Sequence, residues 1–435
     1  MNTPKRPYRL NDLRTQYGDS VEIVHLTRTP PFAPGSFTGI VANLMRRMTA
    51  YQQVAISYWD GPTDLDAKND LQIILTSWKQ LSFWQRCCLQ LPTSLRSRLF
   101  SGVGGRGCLA YAWQVLEVLR VLRPKVVVCY DEPWMGRLIR KDIDWPCRVV
   151  FNQHGLSYFM STENASRTYS LQSFDSVWTL TAISYRFDRE HLPHYEPAVR
   201  VLPNPIDTEL FFPASPDDKS RARIEWGLPQ DRTIVLFLSV LRPKKGAHLL
   251  LQCWPEIIKQ VPDAYLWVVG GGDAAYEKYL HDMATALGVL DSVRFQGRVP
   301  GTQTPSCYRA ADMYVFPTLF VEGMPLSLGE AMSSGLACVA SEHSVSREAY
   351  AEGGIVFVSD PNLEGAFVQP ILRFLADGEL RQQMGSRARE FLESHYSYAA
   401  VLPLVERAFS LEMSLVSGSA PQTPHIPIQR AVTIK

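Results

Sequence analysis

Two carboxylates stand eight residues apart in the stretch Phe316-Pro-Thr-Leu-Phe-Val-Glu322-Gly323-Met324-Pro325-Leu326-Ser-Leu-Gly-Glu330-Ala-Met-Ser-Ser-Gly335. An apolar strand is expected to end near Phe316, a short loop carries Glu322, and Pro325 is placed at the first helical position, where its missing N–H costs nothing. The unpaired amides of that first turn make an anion site. At 1.5 Å per residue Glu330 lies about 7.5 Å up the helix from Pro325. That distance takes it past a bound diphosphate, to where it can accept hydrogen bonds from ribose hydroxyls. Glu322, outside the helix, can face a sugar. In isolation both would read as ordinary surface acids, and only the surrounding chain argues otherwise.

The elements that must position these groups follow an α/β rhythm. Apolar runs at residues 21–26, 54–58, 126–129, 148–151 and 176–180 alternate with helical stretches, then the pattern restarts. Residues 233–240, 264–269, 292–295, 313–316, 337–340 and 354–358 supply a second set of strands, with helices such as 248–260, 275–287 and 363–375 between them. Such alternation predicts two parallel sheets covered by helices, with the hinge near residues 202–214. A chain of 435 residues exceeds the size at which one core stops growing. Doubly wound sheets bind ligands at the carboxyl ends of their strands, so the cleft between the two domains is the expected site.

Further motifs occur in a fixed order: Asn152-Gln-His154-Gly155, Ala182-Ile-Ser184, Leu202-Pro-Asn204-Pro-Ile-Asp207, Lys244-Lys245-Gly246, Gly270-Gly-Gly-Asp273 and Phe295-x-Gly297. With the Glu-x7-Glu element they span nearly the whole chain. Together they resemble the retaining GT-B glycosyltransferases of glycosyltransferase family four. The resemblance implies two Rossmann-like doubly wound domains facing a central cleft: residues 1–203 on the acceptor side, 204–398 binding the nucleotide-sugar, a helix over 399–416 crossing back to the first domain, and a flexible tail over 417–435. It implies transfer of a sugar from a UDP- or GDP-linked donor to a glycan or lipid-linked saccharide, as in surface polysaccharide biosynthesis. In that reading Glu322, His154 and Lys245 are the catalytic residues. Gly35, Ser36, Arg242, Lys245, Gly323, Met324, Pro325, Leu326 and Glu330 bind the donor. The transfer would be a front-face one, with the leaving phosphate assisting deprotonation of the acceptor. Two rival readings are a GT-B sugar-nucleotide epimerase and a non-catalytic sugar-nucleotide-binding protein derived from a transferase.

Each motif also has a reading from its residues. Lys245 follows a strand end, and a cation about 4 Å from a phosphate oxygen is worth about 4 kcal/mol at an effective dielectric of about 20, before desolvation. The same charge can stabilise a leaving diphosphate without a metal. His154 also follows a strand end, where an imidazole can hydrogen-bond sugar hydroxyls. The sequence departs from the family pattern at Ser239-Val240, where relatives carry a phosphate-binding arginine. Arg242 is the candidate substitute, reaching from a different direction. Gly35-Ser36 stands where the family has a Gly-Gly turn near the diphosphate, and Gly270-Gly271-Gly272 lacks the spacing of a dinucleotide fingerprint.

Composition excludes several classes. The chain is 46% hydrophobic and 20% charged with a formal net charge of +1, which favours neither disorder nor nucleic-acid binding by bulk charge. Eight cysteines without a C-x-x-C pair read as reduced thiols of a cytoplasmic protein. No signal peptide and no run long enough to span a bilayer is expected. No metal cofactor is expected either, since the acid pairs Asp64/Asp66 and Asp142/Asp144 lie in polar linking stretches away from the diphosphate site. One interval stands out: from Leu71 through Leu116 there are five basic residues and no acid, interleaved with Trp78, Phe83, Trp84, Leu95 and Phe100. Such a segment suits an anionic membrane surface as well as an ordinary core helix with a basic edge, so a peripheral association with the inner face of the membrane is a possible localisation.

Overall fold

The computed structural model describes residues 10–17, 20–27, 36–58, 72–75, 82–99, 106–154, 171–191 and 198–418. Gly35, Gly155, Asp64, Asp66, Lys79 and the chain from residue 419 onward lie outside them. The chain divides into two compact units, one running to Leu202 and resuming at Leu402, the other covering Pro203–Val401.

The first unit carries a parallel sheet of β1 (Ile23–Leu26), β2 (Gln53–Tyr58), β3 (Gln72–Leu75), β4 (Val126–Tyr130), β5 (Arg148–Gln153), β6 (Ser176–Thr179) and β7 (Ala198–Val201). Their order is β3-β2-β1-β4-β5-β6-β7. β1 and β4 are buried along their whole length, as strands covered by helices on both faces must be. The helix Arg106–Leu122 supplies much of that cover through Leu109, Val115, Leu119 and Leu122.

The second unit has β8 (Thr233–Leu238), β9 (Ala264–Val269), β10 (Val293–Gly297), β11 (Met313–Phe316), β12 (Ala337–Ser341) and β13 (Val356–Val358). The order is β10-β9-β8-β11-β12-β13, all parallel. Both sheets show the doubly wound 3-2-1-4-5-6 order, whose direction reverses between the first and fourth strands. In the first unit the reversal lies between β1 and β4, in the second between β8 and β11. The α/β, two-Rossmann GT-B fold class expected from the sequence is the one observed. Two strands were missed: β3, inside the acid-free interval, and β7, which is only four residues long.

Helix Tyr398–Val416 closes the described chain, and its later turns pack into the first unit. Phe409 meets the Trp178 ring edge-on at 4.9 Å, and Ser410 hydrogen-bonds Tyr51 at 2.8 Å. Glu412 is fully buried. It accepts from Arg148 Nε at 2.9 Å and pairs with Arg200 at 3.6 Å.

Candidate active site

The segments after β8 and β11 flank the switch point of the second unit, and the sequence interlocks them. After β8 the chain runs through Val240, 40% exposed, and exposed Arg242 into a 3-10 turn, Pro243–Lys245. Gly246 ends that turn at φ +79, and a β-carbon there would lie 1.9 Å from the Pro317 carbonyl oxygen. Only glycine permits both the left-handed backbone and the approach. Opposite it, Leu319 N–H donates to the Lys244 carbonyl at 2.8 Å, as does the Thr318 hydroxyl at 3.2 Å. Thr318 Oγ1 also accepts from the Phe320 amide at 3.2 Å. His343 Nε2–H donates to the Thr318 carbonyl at 2.9 Å. The two segments are therefore sewn together beneath the charged side chains they carry.

Lys245 and Glu322, 77 residues apart in sequence, form an ion pair on top of this seam. Their side chains are 21% and 18% exposed, so water partly reaches both. The ammonium groups of Lys244 and Lys245 lie 5.5 and 6.0 Å from the centre of the Phe320 ring, close enough for cation–π attraction.

The helix after Glu322 spans Leu326–Ser333. Pro325 is its N-cap at φ −69, ψ 108, one residue earlier than the expected first helical position. Its extended ψ turns the carbonyl to accept from Gly329 N–H and the Tyr350 hydroxyl. The first amides beyond it have no carbonyl within the helix to bind and stay available to an anion. Met324 and Pro325 are buried, whereas Gly323 and Leu326 are half-buried.

Glu330 retains some exposure as a residue, but its carboxyl group is enclosed by protein, and this burial pushes its pKa up from 4.5 to about 7. Tyr308 donates to Glu330 Oε2 at 2.9 Å, which opposes part of the shift. Burial, reinforced by Glu330, holds the Tyr308 phenol well above its usual 10, so it stays a donor.

The glycine turn after β9 has a packing role. β-Carbons at Gly270 and Gly272 would fall 1.8 Å from Ser239 O and 2.0 Å from Leu241 O. These glycines let the chain lie directly against the segment that leads to Lys245.

In the first unit, His154 follows β5 beside the end of β4. Asp131 adopts φ +53, an uncommon conformation for a non-glycine residue, though one that aspartate tolerates better than most. Its carboxylate accepts from the His154 amide at 2.8 Å, while its own amide donates to Asn152 O at 3.1 Å. The Tyr130 and His154 rings lie 5.5 Å apart. Burial pushes the His154 pKa down to about 3, so the imidazole is neutral at pH 7.

A chain of hydrogen bonds fixes Tyr130 from behind. Gln53 Nε2 donates to the carbonyls of Met45 and Met48 at 2.9 and 2.7 Å. Gln53 Oε1 is then the acceptor for His25 Nε2–H at 3.0 Å. Burial holds His25 neutral, with a pKa of about 4, so its Nδ1 accepts from the Tyr130 hydroxyl at 2.9 Å.

Asp131→Ala removes the acceptor and the side chain suited to this backbone, whereas Asp131→Asn keeps both. The alanine variant is expected to free the His154 loop, so that its imidazole titrates nearer the ordinary value of about 6.5. The asparagine variant should stay low. Ring-proton NMR, with His154→Gln to assign the resonance, reads this, and equal titration of the two variants would refute it.

Among the other sequence candidates, Ser36 opens the helix Ser36–Arg47. Asp142 and Asp144 pair with Arg120 and Arg123, and no group of three metal-ligating side chains gathers among the described residues. His25, Gln53, Tyr130, Asp131, Thr318 and His343 were not singled out from the sequence.

The family model described as Glycosyl transferases group 1 matches residues 218–391. A GDP-mannose-dependent alpha-(1-6)-phosphatidylinositol monomannoside mannosyltransferase of Mycolicibacterium smegmatis is 30% identical over 260 residues, covering 58% of this chain and 67% of the relative. The chain belongs to the group 1 glycosyl transferases. A second relative of this glycosyl transferase is the GDP-mannose-dependent monoacylated alpha-(1-6)-phosphatidylinositol monomannoside mannosyltransferase of Corynebacterium glutamicum. It is 30% identical over 263 residues, 58% of this chain and 67% of the relative. In fold the transferase resembles Anabaena HepE, solved in complex with UDP and glucose, at a TM-score of 0.70 and 17% identity over 90% of this chain and 99% of that one. Sucrose-phosphate synthase from Thermosynechococcus elongatus gives 0.69 and 18% over 92% and 100%. The family match covers the helix and loops that bear Lys245, Glu322 and Glu330 but not His154.

Proposed function

We propose that this glycosyl transferase moves a sugar, with retention of configuration, from a nucleoside-diphosphate sugar to a lipid-linked saccharide or other glycan. The observation that carries the reading is the Lys245–Glu322 pair held on interlocked loops at the switch point, with the enclosed Glu330 on the adjoining helix. Lys245 neutralises the diphosphate, supported by the amides of Gly323, Met324 and Leu326 and by Arg242 in place of the absent arginine at Val240. Glu322 accepts hydrogen bonds from the donor sugar and Glu330 from the ribose, while neutral His154 contacts sugar hydroxyls. As the bond from anomeric carbon to phosphate oxygen breaks, the acceptor oxygen bonds to that carbon from the same face. Its proton passes to the leaving phosphate, so no protein base is required. Lys245 supplies the charge that a divalent ion would otherwise provide. The activities for which the mannosyltransferase relatives are named and the UDP bound to HepE support a nucleotide-sugar donor and, for the former, a glycolipid acceptor.

Calorimetric titration of UDP, GDP, ADP and CMP in the presence of a chelator tests this. One nucleoside diphosphate is expected to bind, and Lys245→Ala to weaken it about tenfold to a hundredfold, as loss of a charged hydrogen bond does. Failure of all four to bind at millimolar concentration would favour the non-catalytic reading, and product formation without acceptor would favour an epimerase.

A further inference from the structure

We propose that the Lys245–Glu322 ion pair is an exchangeable latch that makes the donor site discriminate a nucleoside-diphosphate sugar from the bare nucleoside diphosphate. The inference rests on the donor reading above and concerns how that same site selects its occupant. Three cations follow β8, Arg242, Lys244 and Lys245, whereas the loop after β11, residues 317–325, holds a single acid, Glu322. Arg242 and Lys244 are exposed, and neither has a carboxylate within ion-pair distance among the described residues. Glu322 pairs with Lys245, the least exposed of the three.

The backbone beneath the pair is fixed, and the side chains above it are long and unbranched. Gly246 and Pro317 already meet too closely for the two loops to approach further, and the Lys244 carbonyl holds both Leu319 and Thr318. A change of partner must therefore come from rotation of the Lys245 and Glu322 side chains. Phe320, 41% exposed, keeps the ammonium groups near the site while that happens. Its ring centre lies 6.0 Å from Lys245 Nζ and 5.5 Å from Lys244 Nζ, and a π-face attracts a cation whichever anion stands opposite. The paired groups are only partly solvated, so either one left without a counter-charge gains by finding another.

Binding of the donor breaks this pair, because a diphosphate claims Lys245 and the released Glu322 then stands beside added negative charge. With a nucleotide sugar, hydroxyl groups of the sugar donate to that carboxylate and replace the bond it lost. A bare nucleoside diphosphate offers no such hydroxyls and carries a further negative charge on its terminal phosphate. Glu322 therefore opposes it twice, as a rival for Lys245 and as a like charge. A ligand shifts such an equilibrium only by the difference in its affinity for the paired and unpaired states, and the sugar supplies that difference. After transfer the latch closes again, and its closing favours departure of the diphosphate product.

The test is calorimetry of the full chain, without acceptor, on matched ligands: UDP against UDP-glucose, GDP against GDP-mannose and ADP against ADP-glucose. For the base that binds, Glu322→Gln should hold the nucleoside diphosphate about fivefold to tenfold more tightly than wild type, and the nucleotide sugar about tenfold more weakly. A residue that merely shaped the loop would weaken both together. Lys245→Ala separates rivalry from simple repulsion. It should cost about threefold or more additional nucleoside diphosphate affinity in the Glu322→Gln background than in wild type, because there the lysine is no longer tied. Glu322→Ala removes the same charge with a different side chain and should repeat the opposed shifts, which guards against a folding fault in one variant. If wild type binds a nucleotide and Glu322→Gln changes neither ligand, or weakens both equally, the latch is overturned and the donor reading stands. Absence of binding by every ligand, to wild type and variants alike, would remove both.

Discussion

Glu330→Gln is expected to stabilise the unliganded protein above pH 7 while weakening its hold on a nucleotide. The folded-state pKa of about 7 lies above the unfolded value near 4.5, so the folded protein binds the proton more tightly. The stabilisation this gives is fully present below about pH 4.5 and is lost as pH rises through about 7. Above that, an ionised Glu330 costs the folded state about 3 kcal/mol, taking about 1.36 kcal/mol for each pKa unit. Glutamine carries no charge to enclose and keeps an oxygen for the Tyr308 hydroxyl. Denaturation at about pH 5 and about pH 9 should show the variant gaining on wild type only at the higher pH. For the ligand the sign reverses, because ribose hydroxyls donate best to a carboxylate. Wild-type affinity should rise as pH passes 7 and then level off. The glutamine variant should bind about tenfold to a hundredfold more weakly, with a flat profile. A stability difference that is the same at both pH values would show that the carboxyl group is not enclosed.

Glu412→Ala should be the most damaging single change to the first unit, destabilising it by about 3 to 5 kcal/mol. The carboxylate is fully buried between Arg148 and Arg200. Desolvation already lowers the Arg200 pKa, and Glu412 is the charge that opposes the shift. Without it Arg200 would stand only 11% exposed with its main counter-charge gone. Arg148 would still have Asp175, at 3.5 Å. The closing helix would meanwhile lose the polar anchor beside Phe409. Glu412→Gln retains the shape and a hydrogen bond and should lose less. The proposed nucleotide site lies on the other unit, so titration with the preferred nucleotide should still show binding under conditions where chemical denaturation reveals the early loss. A fall of under about 1 kcal/mol in the alanine variant would mean that water screens the cluster.

The proposed donor half of the site could be read from the sequence because its information is local. Glu322, Pro325 and Glu330 lie within one loop and helix, and Lys245 follows a strand readable from its own apolar run. The structure adds that Lys245 and Glu322 meet each other, which no spacing reveals across 77 residues. The support for His154 was illegible for the same reason. His25 and Tyr130 are 105 residues apart, each looks unremarkable in its strand, and only the parallel pairing of β1 with β4 brings them together. Asp131 offered no signal either, since its left-handed backbone arises from the turn it must make. For Gly270–Gly272 the sequence excluded a dinucleotide fingerprint but did not reveal the observed constraint, the carbonyls of Ser239 and Leu241 beside it. Helix ends shifted by a residue or more where no cap was visible: the expected helix at 363–375 begins at Val368. β3 escaped notice because its short aliphatic run, Ile73-Ile74-Leu75, carries no period to detect.

The seam beneath Lys245 and Glu322 also bears on how this site could be rebuilt. Gly246 leaves room for the Pro317 carbonyl, and the Lys244 carbonyl receives both Leu319 and Thr318. Each loop is thus the mould in which the other sets. A graft that imports only one of them from a relative with a different donor would bring a backbone cut to fit an absent counterpart. Donor preference in this chain should therefore be exchanged as a two-loop cassette, residues 239–246 together with 317–325, while single-loop chimeras lose the site without acquiring a new one.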